Sequence, residues 1–166
     1  MTTNKEFSFT KDIENKKVIV VREFDAPLED VWDAWTQSEL LDQWWAPKPW
    51  KAETSKMDFR EGGTWLYAMK GPDGQKSWCR VDYEEIKPYR SFSAVDSFCD
   101  ENGDAENTLP GMHWYTVFSQ TGGRTKVTVE ISFTKVEDFE KIMEMGFEEG
   151  FKMGLDNLEA FLSVRG

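Results

Sequence analysis

Met143, Phe147, Phe151, Leu155, Leu158 and Leu162 recur at three- and four-residue spacing near the end of the chain. They form one apolar stripe, which a helix must bury against another layer. The pattern predicts a long amphipathic C-terminal helix over about 136–162. Thr134 and Glu137 supply a capping-box pattern at its start. Gly146, Gly150 and Gly154 fall beside or within the stripe. An interior glycine costs a helix roughly 1 kcal/mol relative to alanine. Three of them so close together imply that a strand backbone or a ligand approaches this helix closely.

The segment before that helix reads mostly as strand. Residues 16–25 are β-branched and form a first strand. Asp25-Ala26-Pro27 then opens a short helix carrying Val31, Trp32 and Trp35. Ser38 is suited to cap a second short helix through Trp45, ended by Pro47 and Pro49. Strand patterns follow at 51–59, 64–70, 76–86, 90–98, 112–120 and 124–133. Consecutive strands with short connections pair antiparallel. The expected fold is therefore α+β: a curved antiparallel sheet of six or seven strands wrapped around the long C-terminal helix. Two short helices follow the first strand. One domain of 1–166, with its core at about 16–163, accounts for the whole chain.

Composition narrows the partners. The formal net charge of −11 argues against nucleic acid and against anionic membrane surfaces. The longest wholly aliphatic run, Val18–Val21, is too short to span a bilayer. Residues 1–9 lack an apolar signal core, and Cys79 and Cys99 lack metal-ligand spacing. Both cysteines read as free thiols of a cytoplasmic protein. The acidic run 100–106 reads as a solvated loop. Eight tryptophans and twelve phenylalanines suggest a core, or a cavity, walled by aromatics.

Turns give the register. Gly122-Gly123 is a two-residue hairpin signal that pairs Phe118 with Val127, Thr116 with Val129 and Trp114 with Ile131. That face is apolar and points inward, leaving His113, the single histidine, outside. A turn at Gly71–Gly74 places Trp65, Tyr67, Met69, Trp78 and Arg80 on one face. Leu66, Ala68, Cys79 and Val81 lie on the other, and alternation alone does not choose between them. A turn at Lys87-Pro88 adds Ser91, Ser93, Val95 and Ser97 to the Trp65 face. On that face Arg80 either forks onto a ligand carboxylate or stacks on an indole. The alternative for Arg80 is a salt bridge to Asp82 or Glu84.

Several motifs carry a family resemblance. Phe24–Thr36, Trp44-Trp45-Ala46-Pro47, Asp58–Gly63, Gly71–Gly74, Glu85–Pro88 and Gly146–Leu158 run in order along nearly the whole chain. In this order they resemble the START-like, helix-grip (SRPBCC) superfamily. Within it they resemble the bacterial branch related to the activator of the heat-shock-protein-90 ATPase. The resemblance implies the helix-grip fold and favours the Trp65 face as the inner one.

It also implies a cavity between sheet and terminal helix that holds a small, largely apolar or amphipathic molecule. The expected lining is Trp65, Tyr67, Met69, Trp78, Arg80, Ser93, Trp114, Phe118, Met143, Phe147, Gly150 and Phe151. Two other functions fit the same scaffold: a partner that stimulates a chaperone ATPase, and a cyclase- or hydrolase-like enzyme. No serine–histidine–acid set, HExxH, CxxC or phosphate-loop pattern is present, so no catalytic residue, metal ligand or cofactor is assigned.

Overall fold

The computed structural model describes residues 7–104 and 111–165; residues 105 and 106 of the acidic run lie outside them. Two strands, β1 (Phe7–Asp12) and β2 (Lys17–Phe24), open the chain. Helices α1 (Leu28–Thr36) and α2 (Ser38–Trp44) follow. Then come β3 (Lys51–Met57), β4 (Thr64–Lys70), β5 (Lys76–Lys87), β6 (Ser91–Cys99), β7 (Met112–Thr121) and β8 (Arg124–Ser132). Helices α3 (Val136–Glu144) and α4 (Phe147–Arg165) complete the chain. The strands form one antiparallel sheet in the order β1-β2-β8-β7-β6-β5-β4-β3. This is the expected α+β helix-grip architecture, with eight strands rather than six or seven. The additional strand, β1, is an edge strand paired from Phe7↔Arg22 to Asp12↔Lys17. It buries no side chain fully, so its sequence lacks the apolar alternation that marks a strand. The two short helices consequently follow the second strand.

The β7–β8 hairpin has the expected register: Trp114↔Ile131, Thr116↔Val129 and Phe118↔Val127. These residues, with Val18, Val20 and Phe24 of β2, are buried and define the inner face of the sheet. His113 lies outside, with its Nε2 2.8 Å from Glu84 Oε1.

The expected single terminal helix is two. Gly146 has φ of +87°, a left-handed conformation that glycine adopts without steric cost, and it ends α3. The N-cap of α3 is Lys135, with no side-chain capping bond, so the Thr134/Glu137 capping box does not form. Gly154 is the glycine of close approach. A Cβ there would lie 3.1 Å from the Trp45 carbonyl oxygen. Asn157 Nδ2 donates to the carbonyl of Ala46 at 3.2 Å and reaches that of Trp44 at 3.4 Å. The backbone that presses on α4 is therefore the 44–46 turn after α2, not a strand. Leu155, Leu158 and Leu162 are buried along the same helix. Arg22, buried on the inner face of β2, donates from Nη2 to Asp156 Oδ1 at 2.9 Å and ties sheet to helix.

Among the described residues no helix is long and apolar enough to cross a membrane. Both cysteines are buried, and neither is in a disulfide.

Candidate functional site

The β4–β5 connection decides which side chains face the helices. Lys70 pairs with Lys76, and the Gly71 N–H donates to the Gln75 carbonyl at 2.8 Å. The loop therefore holds five residues, with Gln75 added to the four-residue turn read from Gly71–Gly74. One extra residue moves every later side chain of β5 to the opposite face. Trp65, Tyr67 and Met69 do face inward, but their cross-strand partners are Val81, Cys79 and Ser77.

Trp78, Arg80 and Ser93 consequently lie on the outer face, which corrects their assignment to the cavity. Arg80 Nε donates to the Asp82 carboxylate at 2.9 Å, and its Nη1 donates to the Gly103 carbonyl at 3.0 Å. Ser93 Oγ accepts from the Glu85 N–H at 3.3 Å. Lys76 Nζ lies 5.8 Å from the centroid of the Trp78 ring. Leu66 and Ala68 are buried on this outer side, with the 100–104 turn against Leu66. That cover explains why both faces of β4 are apolar.

Inside, a groove of about 380 Å³ opens between the sheet and the α3–α4 junction. Tyr67, Met69, Phe98, Met112 and Trp114 supply its sheet wall. Ile142, Met145, Phe147, Gly150 and Phe151 supply its helix wall, and Trp45, Pro47 and Trp50 close it from the turn after α2. The aromatic walls are ordered by ring contacts, edge-on between Trp114 and the two phenylalanines and tilted between Trp114 and Trp45. The Trp114 ring lies 5.5 Å from Phe151, 6.1 Å from Phe147 and 5.8 Å from Trp45. Trp45 is further fixed by donating from Nε1 to the Tyr67 hydroxyl at 2.9 Å.

Of the residues expected from sequence, the groove gathers Tyr67, Met69, Trp114, Phe147, Gly150 and Phe151. Trp65 lies deeper, stacked on Tyr67 at 4.1 Å. Phe118 is core, 5.1 Å from Trp32 and 6.1 Å from Trp35. Met143 is half-buried on α3, outside the groove lining.

Asp96 is the polar residue that sequence reasoning missed. It pairs with Met112 and shares the inner face of β6 with Phe92, Ala94 and Phe98. A lone carboxylate alternating with apolar residues was the available signal, and the one-residue slip in β5 hid it by turning Ser93 inward instead. Burial pushes the Asp96 carboxyl up to about 7. Among the described residues no lysine, arginine or histidine lines the groove to offset this. Tyr67 and Cys79, whose ionisation burial also pushes up, sense the Asp96 charge.

Behind the groove, and sharing Trp45, Asp96 and Trp114 with it, is a void of about 30 Å³. Three of its wall residues carry a buried polar atom without a hydrogen-bond partner among the described residues: Trp35 Nε1, Trp114 Nε1 and Thr116 Oγ1. Leaving such an atom unpaired costs roughly 1–3 kcal/mol. No three of the described His, Cys, Asp and Glu residues gather where they could hold a metal ion.

The sequence profile described as Activator of Hsp90 ATPase homolog 1-like protein matches residues 25–163. A solution structure from Arthrobacter aurescens is 33% identical, with a TM-score of 0.89, 94% of this chain covered and 91% of that one. A crystal structure from Mycobacterium smegmatis is 26% identical, with a TM-score of 0.87 and coverage of 96% and 97%. A solution structure from Staphylococcus epidermidis is 28% identical, with a TM-score of 0.83 and coverage of 96% and 95%. A search of curated proteins gave no match. The profile spans most of the chain and the structural neighbours share its topology, so the chain belongs to the Activator of Hsp90 ATPase homolog 1-like family, the bacterial branch of the START-like helix-grip superfamily.

Proposed function

We propose that this protein binds a small, largely apolar molecule in the groove between the sheet and the α3–α4 junction. The observation that carries this reading is the groove itself: about 380 Å³, aromatic on three sides, with one carboxyl among the described residues. That volume is at the small end of the range for ligand sites, roughly 300–1,000 Å³. Apolar walls favour binding by about 25 cal/mol per Å² of ligand surface removed from water. Among the described residues the lining has no cation, so the site favours uncharged ligands over carboxylates. This replaces the anion handle that Arg80 was expected to provide, since Arg80 is paired on the far side of the sheet.

Gly150 offers the cleanest test. A Cβ there would meet only Pro47 Cγ at 3.9 Å, an ordinary contact. Gly150→Leu should therefore fold, gain roughly 0.8–1 kcal/mol of helix propensity and place its side chain in the groove. In a fluorescence titration with phenylnaphthylamine, an uncharged apolar probe, the variant is expected to bind about tenfold more weakly or worse. Equal affinity for the two proteins, or no binding by the wild type, would contradict the reading.

A further inference from the structure

We propose that the void behind the groove is a hydroxyl-binding subsite, formed by Trp35, Trp114, Thr116 and Asp96, that seats the head of an apolar alcohol or phenol. The proposal rests on the groove reading above and adds the chemistry of the ligand's polar end.

The void, at about 30 Å³, has room for one or two oxygen-sized groups. Its three orphan atoms belong to side chains of very low exposure: Trp35 at 3%, Trp114 at 7% and Thr116 at 0%. The three side chains come from separate elements, α1 and neighbouring positions of β7, and all three border one space. An indole N–H can only donate, while a threonine hydroxyl donates or accepts. Two fixed donors therefore call for an oxygen with two lone pairs. Asp96, on the same wall and without a hydrogen bond or ion pair among the described residues, offers an acceptor for one proton.

A hydroxyl group has this complement: it accepts twice and donates once. A carboxylate accepts but brings a negative charge beside the Asp96 carboxyl, and among the described residues no lysine, arginine or histidine in the lining balances it. An ammonium pairs with Asp96 but gives the indoles nothing to donate to. The shared walls, Trp45, Asp96 and Trp114, bring the head of such a ligand next to the groove that takes its apolar body.

Calorimetric titration of decanol, decanoate and decylammonium compares three heads on one tail. The wild type is expected to bind decanol at least about tenfold more tightly than either charged compound. Thr116→Val preserves side-chain shape, and Trp35→Phe removes the second polar atom from another element. Each is expected to weaken decanol by about tenfold while leaving the charged compounds within about twofold. Decanol affinity unchanged in both variants would overturn the subsite, leaving the void as a water site. Equal affinity for all three heads would overturn the subsite and leave the groove standing. Failure of all three to bind would remove the groove reading and the subsite with it.

Discussion

Leu158→Ala is expected to lower the free energy of unfolding by about 2–5 kcal/mol. Leu158 is 0% exposed and sits on the face of α4 that also buries Leu155 and Leu162. The surroundings have little freedom to close over a lost side chain. On one flank, the carbonyls of Trp44 and Ala46 are held by Asn157, and Gly154 is already at close approach to the Trp45 oxygen. On another, Arg22 fixes the helix to β2 through Asp156. A site that cannot collapse retains most of its cavity, which places the cost toward the upper part of that range. Domains of this size have only about 5–15 kcal/mol in total, so the effect should be unmistakable in urea denaturation. A change below about 1 kcal/mol would show that α4 does not anchor the core.

Asp96→Asn is expected to stabilise the protein at and above neutral pH, and to do nothing at about pH 4. The direction follows from the carboxyl being raised to about 7 by burial, from an ordinary 3.8. The folded chain holds this proton through a range in which the unfolded chain has released it. Stability from this group is therefore full below the unfolded value. It is lost as pH rises from about 4 to about 7. Each unit of difference corresponds to about 1.4 kcal/mol, so the wild type gives up a few kcal/mol across that window. The groups that face Asp96 do not reverse this. Tyr67 of β4 and Cys79 and Tyr83 of β5 are themselves pushed upward by burial and are neutral there, and Met112 of β7 lies opposite. Denaturation of both proteins from about pH 4 to pH 8 should give curves that meet at the acid end and diverge by a few kcal/mol at the other. Parallel curves would mean that Asp96 ionises as freely when folded as when unfolded.

Much of this fold is written in local patterns. The hairpin at Gly122-Gly123 joins two strands of clean alternation, so its register could be read residue by residue. The stripe from Phe147 to Leu162 likewise marked the buried face of α4. Gly146 was legible as a special residue, yet its role was ambiguous, because a positive φ and a close packing contact both select glycine. The site was only half legible for one reason. Gln75 belongs to the β4–β5 loop, and nothing in Gly71–Gly74 announces a fifth loop residue. That single position exchanged Arg80 and Ser93 for Val81 and Asp96 as inward-facing residues. Trp45 and Trp50 were not legible as groove lining for a different reason: they follow α2 in an irregular segment where periodicity says nothing about direction.

Each tryptophan contributes one indole N–H signal, and the eight of them are spread over both faces of the sheet and the helical side. A proton–nitrogen correlation spectrum recorded during titration with decanol tests the central claim directly. Occupation of the groove is expected to shift the indole signals of Trp45, Trp50 and Trp114, which line it. The Trp78 signal, on the outer face, should stay in place. A shift confined to Trp78, with Trp45, Trp50 and Trp114 unmoved at saturation, would contradict a ligand site between the sheet and its helices.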